Sequence, residues 1–261
     1  PQSLDPGAAR CVDSARQQSQ FPGSLTQQQF DANPRQATTP LDFGALDSDH
    51  VTALAEHRIG AAEFAAELSH REKTVEATYH FTFNGVTRPS PSRYDSRQTQ
   101  FSPRVRHMAQ WGGLLNELVA GVDLVRWSRA THSSWSKAEA SQDARAVYLR
   151  DEIRWDAAHN GRLAAGARRE SFDKDIADPA AFNSSPEHSK QSHTAWEVQG
   201  SYGPLPLLNL HAKAGRSYRV ANSDENAFRS SVTPLKVHTS RDVEVGAAYG
   251  TDAGKAGVRV F

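Results

Sequence analysis

The sequence has little sulfur and no long apolar run, and each absence excludes a class of protein. Cys11 is the one cysteine among 261 residues, so a disulfide framework within the chain is excluded. No apolar stretch approaches the roughly 18 residues that a transmembrane helix needs. Basic and acidic residues number 30 each, so the charge excess of a nucleic-acid-binding protein is also missing. The mean hydropathy of −0.64 still permits a membrane barrel, whose strands only alternate.

Catalytic and metal-binding signatures are also missing. The 11 histidines form neither HxxxH nor HExxH, and no GxSxG elbow, phosphate loop or dinucleotide fingerprint occurs. The stretches DSDH (47–50) and NSDEN (222–226) carry calcium-type ligands without EF-hand spacing, which favours polar loops over ion sites. The sequence therefore predicts no catalytic, metal or cofactor site, and the chain is predicted not to be an enzyme.

Period-2 alternation is the main signal that is present. In TSRDVEVGAAYG (239–250), Val243, Val245, Ala247 and Tyr249 share one face of an extended strand, and Asp242 and Glu244 lie on the other. Strand is favoured over an amphipathic helix at 141–155, although Asp151 breaks the row there. The sequence predicts about ten antiparallel strands, at 49–58, 61–84, 94–108, 114–128, 141–155, 161–173, 192–202, 206–221, 238–249 and 254–261.

The predicted connections alternate between short and long. A transmembrane up-and-down barrel shows this alternation because short turns face the periplasm and long loops face outward. The sequence thus predicts an all-β transmembrane barrel segment over 48–261, preceded by a long loop or irregular segment at 1–47. Aromatic residues near the strand ends are assigned to an interfacial girdle: Trp111, Trp127, Trp155, Trp196, Tyr202 and Tyr249.

The alternating rows predict which side chains face lipid and which face a wet lumen. The lipid-facing set is Leu118, Val122, Leu208, Leu210, Val243 and Val245. The lumen-facing set is Glu117, Asp123, Lys213, Asp242 and Glu244. Ligand contacts are expected from the long connections 1–47, 85–93, 129–140, 174–191 and 222–237, and no individual ligand-binding residue is predicted.

Several stretches resemble TonB-dependent outer-membrane receptors. The late-barrel pattern of that family is similar to KAGRSYRVANSDENAF (213–228) followed by PLKVHTSRDVEVGAAYG (234–250). NELVAGVDL (116–124), ASQDARAVYLRDEIRW (140–155) and RLAAGARRE (162–170) occur in the order and spacing of the family. SLTQQQFDANPRQATTPLDF (24–43) is similar to a segment before mid-barrel strands in some proteobacterial receptors.

The resemblance implies a barrel of about 22 strands with an N-terminal plug, in the bacterial outer membrane. Such receptors take up a scarce small molecule or metal chelate (an iron chelate, haem, cobalamin or similar) with energy relayed by TonB. About ten strands are present, without a plug or TonB box, so the chain is expected to be a piece of the later half of the barrel. Its expected contacts are membrane lipid and ligand, with TonB reached only through a plug outside this chain, and no nucleic acid.

A soluble, secreted β-rich binding or hydrolytic domain is the alternative that the sequence leaves open. Extraction behaviour separates the two hypotheses, because a barrel segment needs detergent and a soluble domain does not. The chain begins at Pro1 without a basic and apolar leader, and Lys255–Phe261 still alternates, so we expect a longer parent protein.

Overall fold

The computed structural model describes residues 7–180, 186–221, 225, 235–251 and 253–261. They form an 11-stranded antiparallel sheet in which the spatial order of the strands equals their order in the chain. The strands are β1 (Gly7–Gln20), β2 (Phe43–Ile59), β3 (Ala62–Phe83), β4 (Val86–Trp111), β5 (Leu114–Ser133), β6 (Glu139–Trp155), β7 (Gly161–Ala177), β8 (Glu187–Leu205), β9 (Leu208–Arg219), β10 (His238–Thr251) and β11 (Gly254–Val260). Helix α1 (Gln27–Ala32) follows β1, and a short 3-10 helix (Ala157–His159) follows β6. Among the described residues, no helix is long and apolar enough to cross a membrane.

This topology confirms the predicted all-β, antiparallel, up-and-down fold, and β2 to β11 lie where the ten strands are predicted. The prediction that residues 1–47 are irregular is wrong for Gly7–Gln20 and for the start of β2 at Phe43. Neither face of β1 has a consistent apolar row, so alternation does not reveal it. Instead, β1 forms because its backbone pairs with β2 continuously, from Gly7 opposite Glu56 to Gln20 opposite Phe43.

The predicted loop at 85–93 is also wrong, because β3 and β4 continue to a tight turn at Asn84 and Gly85. Both residues have positive φ, 49° and 75°, as a type I′ hairpin requires. Pro89 and Pro91, which suggest a loop in the sequence, lie in β4 opposite β3. Their missing N–H groups are tolerated because β5 pairs with β4 only from Ser92 onwards, which leaves this edge of β4 open.

The two predicted sets of side chains lie on opposite faces of the sheet. We call the face with Glu117, Asp123, Lys213, Asp242 and Glu244 the polar face, and the face with Leu118, Val122, Leu208, Leu210, Val243 and Val245 the apolar face. In contrast to a soluble domain, apolar side chains are exposed on this sheet and charged side chains are buried. Val243 and Val245 are 65% and 53% exposed on the apolar face, whereas Glu152 on the polar face is 1% exposed. Buried alanines also belong to the polar face: Ala65, Ala140, Ala144, Ala146 and Ala164.

Contacts that skip a strand show which face is concave. Arg168 on β7 reaches across β6 to Asp123 on β5, and Arg104 on β4 reaches across β3 to within 3.9 Å of Glu56 on β2. Side chains converge on the concave side of a curved sheet, so the polar face is the inner one. Three arginines surround the buried carboxylate of Glu152 on this face: Arg150, Arg154 and Arg162. Such paired networks compensate the cost of burying charge.

The hydrophobic row of β3 changes faces along the strand. Phe64 and Leu68, near the turn that follows β2, point to the apolar face, whereas Tyr79, Phe81 and Phe83 near the hairpin tip point to the polar face. On the outer side of this distal part, charged residues replace the apolar row. Arg97 pairs with Glu72 at 3.1 Å, and Arg93 pairs with Glu76 at 2.6 Å. The distal third of the β3–β4 hairpin therefore has the outer surface of a water-exposed element.

Candidate ligand site

A cluster of cationic and aromatic side chains lies on the polar face, in the distal halves of β3, β4 and β5. Strand register builds it, because alternate residues on paired strands point to one face. Arg71, Gln98 and Trp127 form one cross-strand row. Lys73, Ser96 and Arg129 form the next row, and Val75, Tyr94 and Thr131 form the third. Residues far apart in sequence are thus adjacent on the inner wall.

Arg129 is at the centre of this cluster. Its guanidinium lies 5.8 Å from the ring centre of Tyr94 and 5.8 Å from that of Trp127, so two aromatic faces hold it. The cluster opens onto a cavity of about 1050 Å³, to which Trp135 and Asp178 also contribute. This volume is of the size that holds small-molecule ligands in proteins.

The connection after β5 forms one rim of the cavity. Ser136 Oγ donates to Asp178 Oδ2 at 2.6 Å, and the Lys137 amide donates to Asp178 Oδ1 at 3.0 Å. These bonds fasten residues 134–138 to the end of β7. Trp135 nevertheless stays 74% exposed, so its ring is available at the cavity entrance.

The segment between β1 and β2 folds back over the inner face of the hairpin. Phe21 stacks on Tyr79, with ring centres 5.5 Å apart and planes 11° apart. Phe21 also covers Gly44, where an added Cβ would lie 2.6 Å from its ring, so the stack needs glycine there. Within the segment, a Thr26–Gln29 capping box starts helix α1. Phe81 and Phe83 beyond the stack remain exposed on the inner side.

A carboxylate fastens the end of this segment to β3. Asp42 Oδ1 accepts the His80 amide at 2.7 Å and contacts His80 Nδ1 at 3.0 Å. Burial would raise the pKa of Asp42, but hydrogen bonds from His80 and Thr39 outweigh it and hold the pKa below its ordinary value. Asp42 is therefore ionised at neutral pH and replaces a strand partner for the His80 amide.

Protonation of Asp42 is expected to loosen the segment 21–42 at acid pH. The pKa of Asp42 is lower in the folded state than in the unfolded state. The contact therefore contributes its full stabilisation at pH values above the ordinary carboxyl pKa of about 4, and this stabilisation is lost as the pH falls through the lowered pKa. A spin label at Gln28, in a Cys11→Ser background, should stay immobile from neutral pH to about pH 4 and become mobile below it. Asp42→Asn should remove the acid transition, and a parent label with unchanged mobility down to pH 2 would contradict the prediction.

The predicted long connections contribute only part of the cavity. Trp135 and Ser136 come from 129–140 and Asp178 comes from 174–191, whereas most of 222–237 lies outside the described residues. The sequence prediction missed Arg71, Lys73, Tyr94 and Trp127, which are strand residues. The assignment of Trp127 to the interfacial girdle is wrong, because it lies on the polar face opposite Gln98. Trp127 is separated from Glu117 and Asp123 by an even number of residues on β5, so alternation along the strand could have placed all three on the same face.

Of the two stretches that carry calcium-type ligands, the structure describes 47–50 in full and 222–226 only at Glu225. Residues 47–50 are part of β2, where the Asp49 carboxylate accepts hydrogen bonds from Ser14 and Arg16. Residues 222–226 lie outside the described residues except for Glu225, which accepts a hydrogen bond from Arg219 at 2.8 Å.

Solved structures share this fold. The unliganded ferric citrate transporter FecA aligns with a TM-score of 0.79 and 15% identity over 97% of this chain and 40% of FecA. The ferric-catecholate import receptor Fiu of E. coli K12 aligns with a TM-score of 0.71 and 11% identity over 97% of this chain and 48% of Fiu. The siderophore receptor PiuA of Acinetobacter baumannii aligns with a TM-score of 0.68 and 10% identity over 84% of this chain and 40% of PiuA.

The chain spans less than half the length of each of these three proteins, and at such identities the likeness shows the fold alone. No curated protein matches the chain. Residues 11–261, however, match the family described as TonB dependent receptor-like, beta-barrel. The chain therefore belongs to the TonB-dependent receptor β-barrel family.

Proposed function

We propose that the chain forms part of an outer-membrane receptor that takes up an anionic metal chelate. In this proposal the apolar face contacts lipid, the polar face lines the lumen, and the cavity around Arg129 is at the outer mouth. Uptake is powered through TonB, which acts on a plug outside this chain. The exposed apolar row supports a membrane setting over the soluble alternative, because soluble monomers rarely expose such large apolar surfaces.

The observation that carries the choice of ligand is Arg129 held between Tyr94 and Trp127 above the cavity. Arg71 and Lys73 add positive charge to the same wall, and Asp178 is an acidic group at its rim. Planar cations stacked on aromatic rings suit carboxylate or catecholate groups, which are flat and negatively charged. Ferric citrate and ferric catecholates, named for two of the similar structures, belong to this chemical class.

Removing the central cation is expected to weaken binding of such a chelate. Arg129→Gln should reduce the affinity of expressing cells for radiolabelled ferric citrate or a ferric tris-catecholate by about tenfold or more, equivalent to about 1.4 kcal/mol. The reason is the loss of one charged, aromatic-stacked contact while the strand register stays the same.

Arg126→Gln is the matched control, because Arg126 is on the same strand but on the opposite face, paired with Asp143. It should leave binding unchanged. Equal binding by the Arg129→Gln and Arg126→Gln variants, or tighter binding of a neutral ferric hydroxamate than of either anionic chelate, would refute the proposed ligand class.

A further inference from the structure

Two aspartates and a histidine meet on the convex side of the sheet, away from the cavity. Asp173 and Asp175 are two residues apart on β7 and so point to one face, and His188 on β8 is the register partner of Asp175. One ligand atom from each of the three side chains lies within 4.8 Å of the other two. The cluster lies at the base of the connection between β7 and β8, on the face opposite the Arg129 cavity.

The contacts in this cluster leave one carboxylate oxygen without a donor. His188 Nδ1 contacts Asp175 Oδ1 at 2.8 Å, while His188 Nε2 is 3.6 Å from Asp173 Oδ1. Asp173 Oδ1 is inaccessible to water and, within the described part of the chain, has no hydrogen-bond partner. A buried carboxylate oxygen without a donor is costly, and a cation beside it would remove that cost.

We propose that Asp173, Asp175 and His188 bind one zinc ion. One imidazole nitrogen and two carboxylate oxygens form a common ligand set for zinc, with water in the fourth position. Zinc requires these atoms at about 2.0–2.2 Å from the metal, so the side chains must close around it. They are free to do so, because His188 and Asp175 are more than half exposed. Bound zinc would join β7 to β8 below their connection.

Lys190 is a cation that already pairs with one of the proposed zinc ligands. Its Nζ lies 2.9 Å from Asp173 Oδ2, whereas His188 is near the other carboxylate oxygen, Oδ1. The ammonium neutralises part of the charge that would attract a dication, and it restrains the Asp173 carboxylate. Removing Lys190 should therefore tighten zinc binding, whereas removing a ligand should abolish it.

Titration calorimetry with zinc chloride tests the site on the full, untagged chain purified in detergent. A Cys11→Ser background removes the exposed thiol, which is a competing zinc ligand. We expect one zinc per chain in this background and loss of that equivalent in His188→Gln and in Asp173→Asn. Lys190→Met should lower the zinc dissociation constant severalfold, and cobalt should give the visible absorption of tetrahedral coordination.

His70→Gln is the matched control, since His70 is also exposed on a strand and lies 3.6 Å from one carboxylate, Glu72. It should retain the bound zinc. The proposal is overturned if His188→Gln binds as much zinc as its parent, if His70→Gln loses the same equivalent, or if Lys190→Met weakens binding.

Discussion

Arginine in place of Val198 is expected to destabilise the barrel by about 2–4 kcal/mol, whereas arginine at the next residue, Gln199, should cost about 0.5 kcal/mol or less. Val198 lies on the apolar face near the middle of strand β8, opposite Ala214. A guanidinium there would have to leave water for hydrocarbon. Gln199 points to the polar face beside Lys213 and Glu197, where water and a carboxylate are within reach of a cation.

The difference between these neighbouring substitutions is the test of sidedness. Equilibrium unfolding by urea or guanidinium in lipid vesicles would measure both variants, each within a longer receptor that contains this chain, against the same receptor without the substitution. Strand β8 is suited to this experiment, because it is paired on both sides and neither variant touches a sheet edge. If Gln199→Arg destabilised the chain more than Val198→Arg, the assignment of lipid to the apolar face would be wrong.

The second large effect concerns solubility. Without detergent or lipid, the 261-residue chain alone is expected to aggregate completely, and with detergent it should remain dispersed. Within the described sheet, β1 pairs only with β2 and β11 pairs only with β10, so both outer edges present backbone groups without strand partners. In lipid each such group costs several kcal/mol, and in water the edges and the exposed apolar row promote association.

Sedimentation of refolded chain with and without detergent checks this expectation. A monodisperse monomer in plain buffer with a cooperative thermal transition would contradict it and would favour the soluble alternative. Substitution of Val243 and Val245 by serine serves as the comparison, because it removes apolar surface without changing the edges. That variant should aggregate less if the apolar row contributes, and equally if only the edges matter.

The strands were predictable because alternation is a local property of the chain. In β10, Val243 and Val245 alternate with Asp242 and Glu244, and this pattern needs no knowledge of neighbouring strands. Alternation does not indicate the strands where local signals conflict with pairing. Pro89 and Pro91 suggest a loop but lie in a strand with an open edge. The polar strand β1 has no apolar row and is held by its ladder with β2.

The candidate site was not predictable in the same way. Arg71, Tyr94 and Arg129 are widely separated in the sequence, and no motif links them. Their proximity depends on strand register, which places Lys73, Ser96 and Arg129 in one row and Tyr94 in the next. A shift of one residue in either pairing would send a partner to the opposite face.

By itself, then, the sequence determined the fold class, the approximate strands and the two faces, because side-chain alternation encodes them residue by residue. The tertiary structure decided three further features: the extra strand β1, the inward aromatic row of the β3–β4 hairpin, and the cavity around Arg129. These depend on which residues become neighbours across strands. Pairing register and sheet curvature set those neighbours, and the alternation of side chains along a single strand determines neither of them.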